Sequence, residues 1–132
     1  IPGRCRRTLS CVYMDINGLH ELNNSRGHQA GDIMLREVAD ELKLRFGSSL
    51  TYRMGGDEYI ALAPDMPEEQ LHEKVRAFSL AIERRDYHAA LGWATCDVDG
   101  IQMEELLRVA ESRMYEAKSA YYRNKNIAPR GR

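Results

Sequence analysis

The sequence predicts an α+β fold: one antiparallel sheet with helices packed on it. Three observations carry this. Short apolar runs and longer amphipathic stretches follow the order strand, helix, strand, strand, helix, strand, helix. Two of the strand-like runs are separated only by Gly55-Gly56-Asp57-Glu58, which reads as a β-hairpin with a glycine-permitted turn. Each helical stretch carries one apolar stripe, as an element laid by one face on a sheet requires.

Taken in order, residues 9–14 are apolar and β-favouring, and the run ends at Asp15. Asn17-Gly18 breaks it, and residues 21–29 form a polar stretch leading into Gly31-Asp32. From Ile33 the apolar positions Leu35, Val38, Leu42 and Phe46 step by three and four, predicting a helix that Gly47-Ser48-Ser49 stops. Residues 50–54 and 59–63 are the two hairpin strands, and Pro64 closes the second. Pro67, Glu68 and Glu69 mark a helix start, with Leu71, Val75, Phe78 and Ile82 as its buried stripe. Residues 88–96 read as a strand, with Trp93 in the core, and residues 97–100 as a turn. A last helix carries Met103, Leu107, Ala110, Met114, Ala117 and Tyr121 as a packing stripe.

The chain's 132 residues suffice for one domain, expected to span 1–132. Net charge is −1, from 19 basic and 20 acidic side chains, which argues against a dedicated nucleic-acid partner. The basic clusters at Arg4, Arg6 and Arg7 and over residues 123–132 read first as solvated ends and second as phosphate contacts. The cysteines are Cys5, Cys11 and Cys96, with no CxxC pair. Cys11 and Cys96 read as buried small hydrophobes, and a reducing cytoplasmic compartment is expected. No apolar run reaches membrane-spanning length, so no direct membrane contact is expected. The chain begins at Ile1, which suggests a fragment of a longer protein, tethered to a membrane, if at all, through regions outside it.

Three carboxylates concentrate the chemistry. Asp15 ends the first strand, while Asp57 and Glu58 occupy the hairpin turn. If the first strand pairs beside the hairpin, all three meet at one edge of the sheet. Such a cluster repels itself unless a cation neutralises it. Magnesium favours oxygen ligands, one or two carboxylates plus substrate phosphates. Gly55 and Gly56 would let a triphosphate approach the backbone. The combination suits two-metal phosphoryl or nucleotidyl transfer, although a Gly-Gly-Asp tip is by itself also a common turn.

Four segments give this a family. Arg53-Met54-Gly55-Gly56-Asp57-Glu58-Tyr59 resembles the signature hairpin of GGDEF domains, with Tyr at the final Phe. The run from Asp15 to Asn24 resembles that family's DxDxFKxxND segment, and Gly27-His28-Gln29-Ala30-Gly31-Asp32 its GHxxGD segment. Met114-Tyr115-Glu116-Ala117-Lys118 is similar to its LYxAK helix. The four occur in the family's order. The resemblance implies a ferredoxin-like, nucleotide cyclase-palm sheet. It implies a diguanylate cyclase that condenses two GTP into cyclic di-GMP and pyrophosphate. Magnesium or manganese, two per active site, would be held by Asp15, the Ile16 carbonyl, Asp57 and Glu58. Of the catalytic pair Asp57 and Glu58, one would help deprotonate the attacking hydroxyl, Asp57 occupying the position usually assigned that role. Asn23 and Asp32 would bind the guanine edge, with His28 supporting base or ribose. Lys118 and Arg123 would bind phosphate. Each domain holds one GTP, so activity would require a two-fold homodimer.

The chain departs from the pattern at several positions. Asn17 replaces the second Asp of DxD, Leu19 an aromatic, His20 a lysine, and Asn24 the Asp after Asn23. No glycine follows Lys118 before Arg123, and the family's helix before the first strand is missing. Ser49 and Phe46 stand where an inhibitory RxxD product site would have its Asp and Arg, so no such site is expected. These departures motivate the alternative of a degenerate domain that binds GTP without turnover, or serves as a sensory or dimerisation module. His20-Glu21-Leu22-Asn23-Asn24 lacks the second His of a zinc-protease motif. His72 reads as a surface helix residue and His88 as a strand start.

Overall fold

A computed structural model describes residues 7–100 and 102–124. Cys5, Arg4, Arg6 and the basic run beyond Asn124 lie outside the described residues. The strands are β1 (Thr8–Asn17), β2 (Thr51–Gly55), β3 (Glu58–Pro64) and β4 (His88–Asp97). The helices are α1 (Leu19–Arg26), α2 (His28–Phe46), α3 (Glu68–Glu83) and α4 (Met103–Asn124). The sheet runs β2-β3-β1-β4, and every neighbouring pair is antiparallel.

Central β1 sorts its side chains by the two-residue period of a strand. Val12, Met14 and Ile16 enter a core with Val38 and Leu42 of α2 and Leu71, Val75, Phe78 and Ile82 of α3. Cys11 and Tyr13 enter a second core with Ile60, Leu106, Ala110 and Met114. The result is three layers: α2 and α3, the sheet, and α4. Each fully buried Leu, Ile or Phe in them contributes about 1.5–3 kcal/mol. At Gly92 the α4 backbone crosses β4 so closely that a Cβ would overlap Met114, Ala110 and Arg113 backbone atoms.

The antiparallel sheet flanked by helices matches the fold read from the sequence; the differences are local. The polar stretch after β1 is helical: α1 forms with no buried residue, so no apolar stripe announced it. Helix α2 begins at His28, five residues before Ile33, because Gly27 at φ 90 ends α1 and admits α2 in one residue. The buried stripe of α4 is Leu106, Ala110, Met114, Lys118 and Tyr122, so Met103 is exposed and Tyr121 only half-buried. Cys11 is fully buried, whereas Cys96 is only half-buried. Trp93 is half-buried on edge strand β4, edge-on to exposed His72 at 5.4 Å.

Candidate active site

The register of the central strands sets the geometry. Asp15 lies opposite Glu58 across the β1–β3 ladder and opposite Ala90 across β1–β4. Opposed residues share a face, so Asp15 and Glu58 both face the α4 layer. The Ile16 amide donates to the Asp57 carbonyl at 2.9 Å, which ties the hairpin tip to the end of β1. Arg53 fastens the tip from within, donating through Nη2 at 2.6 Å and Nε at 3.1 Å to the Gly56 carbonyl. Glu58 accepts from the Tyr13 hydroxyl at 3.2 Å.

Asp15, Asp57 and Glu58 line a cavity of about 270 Å³ together with Ile16, Lys118 and Tyr122. Gly18, Leu19, His20 and Glu21 of the α1 entry complete it. A larger cleft, about 960 Å³, lies at the other end of β1 beside Thr8 and Trp93, away from the three carboxylates.

Asp15 is almost completely enclosed. Its Oδ2 accepts from Lys118 Nζ at 3.1 Å, while its Oδ1 is buried without a hydrogen-bond partner. Burial raises its pKa to about 6, with Asp57 and Glu58 adding to the rise and Lys118 opposing it. A buried carboxylate oxygen facing two further carboxylates is an unsatisfied acceptor, and a hard cation would satisfy it. Among the described residues, no group of three or more Asp, Glu, His or Cys side chains is set to hold a metal ion unaided. Phosphate oxygens would therefore have to complete any magnesium shell, which is how that ion is commonly held.

The other sequence candidates lie on α1, α2, the hairpin and α4. Asn23 on α1 packs against Gly31 of α2, where a Cβ would overlap its amide, and Asn23 Oδ1 is buried without a partner. Asp32 follows Gly31 in the chain, and His28 lies one turn earlier on the same helix; both are exposed. Gly55 and Gly56 are exposed at the hairpin. Lys118 is buried and ion-paired with Asp15, rather than projecting into solvent. Arg123 is exposed in the last turn of α4 and does not line the cavity.

Tyr122, which the sequence reading did not single out, lines the cavity with Lys118. It is buried, its pKa is raised chiefly by that burial, and its hydroxyl is tied to the Gly18 backbone. The signal was available: Lys118 and Tyr122 are four apart and must share a helix face.

The family model "Diguanylate cyclase, GGDEF domain" matches residues 3–124. Among curated relatives, the bifunctional diguanylate cyclase/cyclic di-GMP phosphodiesterase MucR of Pseudomonas aeruginosa is 28% identical over 85% of this chain. Diguanylate cyclase VdcA of Vibrio cholerae is 29% identical over 84%. The chain spans only 18% and 36% of their respective lengths. A solved microbial GGDEF domain, described in its interaction with cyclic di-GMP, is 30% identical with a TM-score of 0.77. That match covers 86% of this chain and 74% of the other. With its acidic hairpin closed against the end of β1, the chain belongs to the GGDEF domain family.

Proposed function

We propose that this chain is a diguanylate cyclase domain, spanning 1–132 of a longer protein, that joins two GTP into cyclic di-GMP. One observation carries the reading: Asp15, Asp57 and Glu58 share a small cavity in which an oxygen of Asp15 has no partner. Asp15, the Ile16 carbonyl, Asp57 and Glu58 would hold magnesium or manganese, two per site, supplying charge neutralisation at the α-phosphate and a lowered hydroxyl pKa. Gly55 and Gly56 admit the triphosphate close to the backbone. Asn23, whose Oδ1 lacks a partner, and Asp32 accept from the guanine N1–H and N2–H₂ donors, with His28 alongside. Lys118, and Arg123 from the end of α4, add positive charge toward the phosphates.

Asp57 takes the proton of the 3′-hydroxyl. The 3′ oxygen bonds to the α-phosphorus of the facing GTP, the α–β anhydride breaks, and pyrophosphate leaves. A second such step closes the ring. One chain presents one GTP, so a two-fold dimer is required. A cytoplasmic site, with any tether supplied from outside this chain, agrees with the substrate. Among the described residues no helix is long and apolar enough to cross a membrane.

The test is GTP turnover with magnesium by a verified dimer, with cyclic di-GMP resolved chromatographically. Asp57→Ala/Glu58→Ala should lower the rate about a thousandfold or more. A verified wild-type dimer that yields no product refutes the cyclase reading. A second reading, a nucleotide-binding module without turnover, is favoured by the engagement of Lys118 with Asp15 and of Asn17 with His88. Calorimetric GTP binding without product identifies it.

A further inference from the structure

A second cavity, about 620 Å³, lies on the far side of α1 from the carboxylates. Gly18 and Glu21 line both cavities, so the first turn of α1 is the wall between them. Its volume falls within the range of about 300–1,000 Å³ usual for small-molecule sites. Leu22, Ile33 and Met34 supply apolar lining. Tyr87, His88 and Tyr121 supply aromatic lining, with the His88 and Tyr121 rings stacked at 4.3 Å and 20°.

Asn17 also lines this cavity, and is 3% exposed. Its Nδ2 lies 2.7 Å from His88 Nδ1, and its Oδ1 is buried with no hydrogen-bond partner. Stranding a buried amide oxygen is costly, so the position favours a ligand that donates to it. The second N–H of the same amide stands beside that oxygen. An acceptor and a donor side by side on an asparagine are the pattern that reads the N6–H and N7 edge of adenine.

We propose that the cavity is a binding site for an adenine-class nucleoside, separate from the GTP site. The base amine donates to Asn17 Oδ1, and the rings pack on the aromatic wall.

The test is calorimetric titration of adenosine into the 132-residue chain. Saturable binding is expected. Purine riboside, which has the same rings but lacks the exocyclic amine, should bind about tenfold more weakly. Ser25 is exposed on α1 and lines the cavity, so Ser25→Trp should fill it and abolish binding while leaving the circular dichroism spectrum intact. Tyr121→Ala should weaken binding about tenfold. Asp57→Ala/Glu58→Ala should leave adenosine binding unchanged, which separates this site from the catalytic one. The proposal is overturned by any of three results: no saturable binding of adenosine, equal affinity for purine riboside, or binding that survives Ser25→Trp but is lost in Asp57→Ala/Glu58→Ala.

Discussion

The two faces of β1 differ in kind. Toward α2 and α3, Val12, Met14 and Ile16 continue one apolar core to the end of the strand. Toward α4, Cys11 and Tyr13 begin equally apolar under Ala110 and Met114. One step later that face becomes ionic, where Asp15 meets Lys118. Lys118 lies one helical turn beyond Met114, so strand and helix change character at the same height. The site is thus the core of the α4 layer carried on with charged residues, not a loop added to a finished fold. The comparison predicts that one face governs stability by volume and the other by charge.

The largest effect is expected from the volume side. Phe78→Ala should cost about 3–5 kcal/mol in urea unfolding, since the ring is buried and its neighbours are fixed in helices and sheet. That cost should not vary with pH. Lys118→Met tests the other face. It strands ionised Asp15, but the carboxyl can take up a proton, so the loss at neutral pH should be about 2 kcal/mol, below that of a fully trapped ion. The sign with pH follows from Asp15. Its folded pKa is raised, to about 6 from 3.8, so the ionised form costs stability above pH 6. That cost fades as pH falls through 6 toward 3.8. Removing Lys118 enlarges it, so the difference between variant and wild type should be greatest above pH 6 and shrink toward pH 4. A loss that stays constant with pH would mean that Lys118 acts by packing, and the two faces would not differ after all.

The same distinction explains what the sequence disclosed. Periodicity found the purely apolar stripe of α3 whole, as the Gly-Gly-Asp-Glu tip found the hairpin; on α2 it found Val38, Leu42 and Phe46, but Ile33 is exposed and Leu35 half-buried, and Met34 is the residue that enters the core there. The stripe of α4 contains a lysine, Leu106, Ala110, Met114, Lys118, Tyr122. Reading by residue type stepped around Lys118 and settled one position off, on Leu107 and Tyr121. Helix α1 buries nothing, so its hydrophobic pattern is blank. The helix is held by tertiary context, including Asn23 set into the gap at Gly31. The carboxylates were legible as residues because they end or join strands, yet their partners were not. No local pattern shows that Lys118, 103 positions away, will donate to Asp15.

A smaller effect should come from the crossing of α4 over β4. Gly92→Ala places a methyl against α4 backbone, which cannot rotate away as a side chain can. The cost should be about 1–3 kcal/mol by overpacking. Because α4 carries Lys118, GTP turnover should fall along with the unfolding midpoint. Turnover retained at full rate would show that α4 can shift without disturbing the ionic end of its stripe.

The smallest perturbation is chemical labelling, which asks whether the two faces open together. Cys11 is buried on the α4 face of β1, and burial pushes its thiol up to about 12. At pH 8 its thiolate fraction is on the order of 10⁻⁴, so iodoacetamide must wait for the strand to be uncovered. Because β1 pairs on both sides, with β3 and β4, uncovering Cys11 should require near-global unfolding. Cys96, half-buried toward the end of β4, needs only local opening. Peptide mapping by mass spectrometry should therefore find Cys96 alkylated in native buffer and Cys11 alkylated only when denaturant is present. If Cys11 reacts natively at the rate of Cys96, α4 lifts from the sheet while α2 and α3 stay closed. The charged face would then be the softer one, and the Asp15–Lys118 pair a contact that opens and recloses within an otherwise folded domain.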